Sequence, residues 1–250
     1  MTNRMQDKVV AVFGGVSRIG YETVRLLISE GASVLVADLN ADKGRELSEQ
    51  FGEKIKIVRC DVSSEDDVAR ALDTAVSTFG KLDSVINNAG IQFSGEAAGF
   101  SLDSWQKIMA VNAGGAFLVA KHSIPYLLKT GAGSITNTAS TAGLRGGPGM
   151  TAYSASKGAI VAFGRALAME LGGQNIRVNT VCPGWTDTAF NGPIIDILGG
   201  VSARDAVIKN SVPLQRQAHP REIAQIYVYL ASDESSYMTG QAVVVDGGLI

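Results

Sequence analysis

Short apolar runs recur along this chain, separated by longer stretches whose apolar residues return every three or four positions. Residues 9–13, 34–37, 55–59, 82–87, 133–137, 176–181 and 242–245 read as strands, bounded by glycine, asparagine or aspartate. The stretches ending at about residue 29 and spanning about 42–51, 64–79, 104–129 and 152–172 read as helices. Ser63 or Ser64 is placed to cap the third helix, and the acidic residues 65–67 suit its positive end. The helix over 104–129 is expected to run through Gly114-Gly115 and Pro125. Strands apolar almost throughout, alternating with helices, specify a parallel sheet covered on both faces. No linker, repeat or low-complexity tract divides the chain, so residues 1–250 are expected to form one doubly wound α/β domain.

Such a fold binds ligands at the carboxyl ends of its strands, near the point where the strand order reverses. The polar and glycine-rich segments fall at those ends: 14–20, Asp38, Asp61, 87–90, 138–140 and 183–188. Gly14 permits a tight turn and Gly20 a close approach of helix to sheet, which leaves helix N–H groups facing a pyrophosphate. Asp38, eighteen positions beyond Gly20, can accept both hydroxyls of an adenosine ribose and would repel a 2′-phosphate. Asp61 can meet an adenine amino group. Together these features predict a Rossmann-type dinucleotide site.

A second group lies between Ser140 and Lys157, in STAGLRGGPGMTAYSASK. In a helix, Tyr153 and Lys157 share a face at i and i+4. A phenol ordinarily ionises near ~10, too high for a base at neutral pH. Opposite charges at ~4–6 Å favour the ionised form by roughly 1–3 pH units, so a nearby ammonium can bring a tyrosine toward working pH. Ser140, thirteen positions before Tyr153, can bond the same substrate oxygen from the adjoining strand end.

Lys+Arg of 22 against Asp+Glu of 24 gives net −2 with no basic stripe, which argues against nucleic acid and against an anionic membrane surface. The start, MTNRMQDKVVAVF, lacks the features of a signal peptide, and no apolar run reaches the ~18 residues of a membrane helix. Cys60 and Cys182 offer no disulfide framework, so the expected compartment is the cytoplasm. His122 and His219 lie far apart without ligand neighbours, and no metal site is expected.

In order and spacing, these segments resemble the short-chain dehydrogenase/reductase family over essentially the whole chain. The matching elements are the Gly14–Gly20 turn, Asp61-Val62, Asn87-Asn88-Ala89-Gly90, Asn112, Ser140, Tyr153-x-x-x-Lys157, Pro183-Gly184 with Thr186 and Thr188, and Thr239-Gly240 before Asp246-Gly247-Gly248. The resemblance implies that Tyr153 is the general acid/base and that Ser140 polarises the substrate oxygen. It implies that Lys157 lowers the tyrosine pKa and holds the nicotinamide ribose, and that Asn112 holds a water of a proton relay. Cofactor contacts are implied for Gly14, Ser17, Arg18, Ile19, Gly20, Asp38, Asp61, Val62, Asn88, Ala89, Gly90, Pro183, Gly184, Thr186 and Thr188, besides Tyr153 and Lys157.

Two positions depart from the pattern. Phe13 stands where the family usually has threonine, and Arg18 where it usually has glycine. If residue 18 needs a positive φ, a side chain there costs on the order of 1–2 kcal/mol. Pteridine reductases, which use NADPH, carry arginine at this position. Against that, Asp38 is followed by Leu39 and Asn40, with no base to receive a phosphate, so the expected cofactor is NAD.

The substrate half is expected to be lined by Gln92, Phe93, Leu144, Met150, Trp185, Phe190 and the segment to about residue 213, with 189–213 forming a lid. Such a lining suits a neutral, largely apolar secondary alcohol or ketone, cyclic ones included. The alternatives are an NADPH-dependent 3-oxoacyl thioester or pteridine-type reductase, and a dinucleotide-binding sensor without catalysis. The resemblance also implies a homotetramer, built through helices 104–129 and 153–172.

Overall fold

The computed structural model describes residues 3–250. Strands β1 (Val9–Phe13), β2 (Ser33–Asp38), β3 (Ile55–Arg59), β4 (Ser84–Asn87), β5 (Gly133–Thr138), β6 (Ile176–Pro183) and β7 (Ala242–Val245) form one sheet. Their order is β3-β2-β1-β4-β5-β6-β7, and every neighbouring pair is parallel. The order reverses between β1 and β4, and this opens a crevice at their carboxyl ends. The fold is the expected α/β Rossmann fold.

The helices are α1 (Arg18–Ser29), α2 (Arg45–Phe51), α3 (Glu65–Phe79), α4 (Leu102–Met109), α5 (Gly115–Thr130), α6 (Ala142–Arg145), α7 (Thr151–Leu171), α8 (Gly192–Leu198), α9 (Val201–Ser211) and α10 (Pro220–Ala231). Alternate residues of each central strand feed opposite cores. Ala11, Phe13, Val85 and Ile135 pack with α3, α5 and α7, whereas Val10, Val12 and Ile86 pack with α1 and α10. Phe13 is fully buried in the first core, which gives that departure a packing role.

The helix expected over 104–129 is broken in two. A π-helical turn over Ala110–Gly114 joins α4 to α5, and Asn112 lies inside it. The wide turn rotates Asn112 inward, where it is fully buried. Pro125 is accommodated inside α5. Helix α10, absent from the predicted elements, covers α1. Its N-cap is His219, Pro220 follows at the first helical position, and Glu222 completes a capping box. Among the described residues, no helix is long and apolar enough to cross a membrane.

Candidate active site

The carboxyl ends of the strands line one cleft of about 1100 Å³. At one end, β1 turns into α1. Gly14 has φ +75°, and a Cβ there would lie 2.7 Å from the Ala89 backbone nitrogen. Gly20 backs the turn against the Gly14 carbonyl. Asn88 crosses from β4 to hold the turn, its Nδ2 donating to the Gly14 carbonyl at 3.0 Å and to Ser17 Oγ at 3.3 Å. The Ser17 side chain does not cap α1, and the first turn of α1 contains no acidic residue. Its leading N–H groups therefore face the cleft with a positive helix end, the arrangement that receives a phosphate.

Asp38, at the end of β2, is 9% exposed and lines the cleft. Its Oδ1 accepts from Asn40 N at 2.9 Å and its Oδ2 from Val16 N at 3.2 Å. These bonds fix the carboxylate while each oxygen keeps acceptor capacity for a hydroxyl. Asp61 caps its own loop by accepting from Ser63 N and Oγ, at 2.9 and 2.6 Å. Arg18 opens α1 and is absent from the positive-φ positions, so its side chain causes no backbone strain. Its guanidinium lies 3.9 Å from the Asp187 carboxylate.

At the cleft floor stand Ser140, just past β5, and Tyr153 and Lys157 on the first turns of α7. Tyr153 is 6% exposed and Lys157 2%. Burial pushes the Tyr153 phenol above its ordinary range, and the Ser140 hydroxyl offsets part of that rise. The expected lowering by Lys157 is not what governs this phenol. The ammonium nitrogen lies 5.9 Å from the ring centre and donates to the Thr138 carbonyl at 2.8 Å. Burial pulls Lys157 itself down to about 8. A Cβ on Gly90 would come within 3.2 Å of Lys157 Nζ and 3.1 Å of Asn112 Oδ1, so a side chain there would crowd both groups.

Of the sequence-predicted residues, Gly14, Ser17, Arg18, Ile19, Asp38, Asp61, Val62, Asn88, Ala89, Gly90, Ser140, Met150, Tyr153, Lys157, Pro183, Gly184, Trp185, Thr186, Thr188 and Phe190 all line this cleft. Asn112 lies beneath it and Gly20 behind the turn. Phe93 borders a separate depression with Phe100 and Pro193, and Leu144 is 39% exposed outside the cleft. Lys107, Ala110, Val111 and Leu249 also reach the cleft, and the sequence carried no signal for them. Phe190 leans over Tyr153 with ring centres 6.1 Å apart. With Met150, Ile194, Ile197 and Val207 it makes the end beyond Tyr153 apolar.

The cleft thus brings together a glycine turn at a helix N-terminus, a carboxylate at the end of β2, and a buried phenol beside an apolar chamber. Known proteins agree with it. A family model described as enoyl-(acyl carrier protein) reductase matches residues 15–250. A 3-oxoacyl-[acyl-carrier-protein] reductase of Thermotoga maritima is 35% identical over 99% of both chains. A 3-alpha-(or 20-beta)-hydroxysteroid dehydrogenase of Mycobacterium bovis is 36% identical, covering 100% of this chain and 92% of its own. A cyclopentanol dehydrogenase of Comamonas sp. is 37% identical over 98% of each. The chain belongs to the short-chain dehydrogenase/reductase family of oxidoreductases.

Proposed function

We propose that this chain is an NAD(H)-dependent oxidoreductase that interconverts a neutral, largely apolar secondary alcohol, cyclic ones included, with its ketone. The observation that carries the reading is the meeting of Ser140 and Tyr153 on the cleft floor, with Lys157 behind them. This group separates the phosphate-receiving turn from the apolar chamber. The nicotinamide ring supplies the chemistry of accepting or returning a hydride at the carbinol carbon.

The chain's own residues handle the proton and the geometry. Ser140 donates a hydrogen bond to the substrate oxygen and orients it toward Tyr153. In the oxidative direction the Tyr153 oxygen takes the hydroxyl proton as the C–H pair leaves, and in reduction it gives that proton back. Burial disfavours the phenolate, and the Lys157 ammonium, 5.9 Å from the ring centre, offsets part of that cost. Asn112 belongs to the proton relay that serves Lys157. Asp38 receives the adenosine ribose hydroxyls. The lining of Met150, Phe190, Ile194 and Ile197 excludes water from the reacting carbon and rewards apolar ring carbons.

A second reading, an NADPH-dependent 3-oxoacyl thioester reductase, is favoured by the likeness to the Thermotoga maritima protein. Asp38 and the net charge of −2 weigh against a 2′-phosphate and an acidic carrier. The test is a panel of cyclic and acyclic secondary alcohols with NAD, set beside 3-oxoacyl thioesters with NADPH. Turnover of the alcohols supports the first reading. Turnover confined to the thioesters establishes the second, and NADH binding without turnover of any compound makes the chain a sensor.

A further inference from the structure

The Asn112 amide is committed inside the protein. Its Oδ1 accepts from Ile91 N at 2.8 Å, while its Nδ2 donates to the Ile91 carbonyl and to Ser156 Oγ, each at 2.9 Å. Because Ile91 offers both an N–H and a carbonyl, the amide has a single orientation that satisfies them. Ser156 is fully buried, and its own proton goes to the Tyr153 carbonyl at 2.8 Å.

A helical serine that bonds the carbonyl three residues back is ordinary, and by itself marks only local packing. What sets Ser156 apart is the second bond. Its oxygen is the point at which the π-helical turn at Asn112 is tied to the first turn of α7, between Tyr153 and Lys157. On the far side, Asn112 clasps Ile91, next to Gly90, against which both Asn112 Oδ1 and Lys157 Nζ lie. One hydroxyl thus sets the spacing between the strand end after β4, the π-helical turn and α7. Removing it leaves an Asn112 N–H unpaired where no water reaches, and that donor must find another acceptor by moving.

We propose that Ser156 is a positioning residue, its buried hydroxyl holding Asn112 in register with Tyr153 and Lys157 and so fixing the proton-handling geometry of the site. The proposal rests on the reading of Tyr153 and Lys157 given above. Ser156→Ala is expected to lower kcat by about tenfold or more, with KM for the alcohol and NADH affinity changed by less than about threefold. The pH at which kcat is half-maximal moves by about half a unit or more, because the position of the Lys157 charge has changed. Since the effect passes through Asn112, Ser156→Ala in an Asn112→Ala background adds less than about threefold, rather than multiplying. Independently of turnover, backbone amides of Ala110–Gly114 exchange with solvent at least about tenfold faster in Ser156→Ala.

If Ser156→Ala does not fold, Ser156→Cys, which keeps the shape and weakens both bonds, takes the same measurements. An active wild type whose serine variant keeps kcat, pH profile and exchange rates overturns the positioning role alone. Multiplicative effects in the double variant overturn it too. A wild type inert toward every alcohol and ketone contradicts the proposed function instead, and the exchange measurement then decides whether Ser156 holds the turn.

Discussion

Arg18 faces Asp187 across the mouth of the cleft, 3.9 Å apart, and does not touch Asp38. Both partners are largely exposed, at 65% and 62%, so the pair adds little stability and opens easily. Asp38 is held by two backbone N–H groups at the end of β2, where the proposed function puts the adenosine ribose. The predicted outcome is a preference for NAD over NADP of at least about tenfold, since one charge-assisted bond to a ribose hydroxyl exceeds the ~1.4 kcal/mol required. Comparing kcat/KM for both cofactors, Asp38→Ala gains NADP activity and Arg18→Gly leaves the preference in place. A wild type that favours NADP, and loses that preference in Arg18→Gly, makes Arg18 the selector.

Glu222 accepts from both terminal nitrogens of Arg216 at 2.7 Å and from the His219 N–H at 2.7 Å. The Arg216 bonds first, then the His219 N–H, hold its carboxyl down at about 2 against an ordinary 4.5. A depressed carboxyl contributes stability that is present above pH 4.5 and lost as pH falls toward 2. The group is substantially solvent-screened, so the contribution is small. Glu222→Gln should lower the melting temperature at pH 7 by a few degrees, the size expected for about 1 kcal/mol in a chain of this length. Near pH 3 the gap between wild type and variant narrows. A gap of equal size at both pH values shows that the charge is not what stabilises α10.

The outer faces of α4, α5 and α7 leave Trp105, Phe117 and Met169 exposed, at 40%, 50% and 88%. Ala162 and Ala166 lie exposed on α7, whereas Gly115 and Ala116 are buried in this subunit's own core. The homotetramer that the resemblance implies can draw only on the exposed set for its contacts. Light scattering at micromolar concentration should return the tetramer mass, and a single-subunit mass contradicts it.

The central strands were legible because burial on both faces leaves little choice but apolar residues, and β1, buried throughout, has the expected bounds. The cleft was legible for a related reason: backbone turns and ligand-facing polar groups need particular residues at strand ends. Asn112 could be placed in the site only by resemblance. No periodicity announces a π-helical turn, and residues 104–129 read as one helix. Helix α10 did leave a signal in His219-Pro220-Arg221-Glu222 and the apolar pairs 223–224 and 227–228. Helical spacing puts Lys157 on the same face as Tyr153 but does not say how deeply that face is buried. Burial then dominates the phenol. Phe93 and Leu144 fall outside the cleft although Gln92, Ala142 and Arg145 beside them line it, because which way a single side chain turns is not encoded by its neighbours.

Tyr153→Phe tests the central claim most directly, because the variant removes one oxygen from a ring whose packing against Phe190 it preserves. The measurement is alcohol oxidation with NAD alongside NADH binding by fluorescence, in wild type and variant. General acid–base catalysis typically contributes ~10²–10⁴-fold, so turnover should fall by at least that much. NADH affinity should stay nearly unchanged, since the proposed function assigns the nucleotide to the turn after β1 and to Asp38. A variant that keeps a third of the wild-type rate, roughly, removes Tyr153 from the chemistry and contradicts the account.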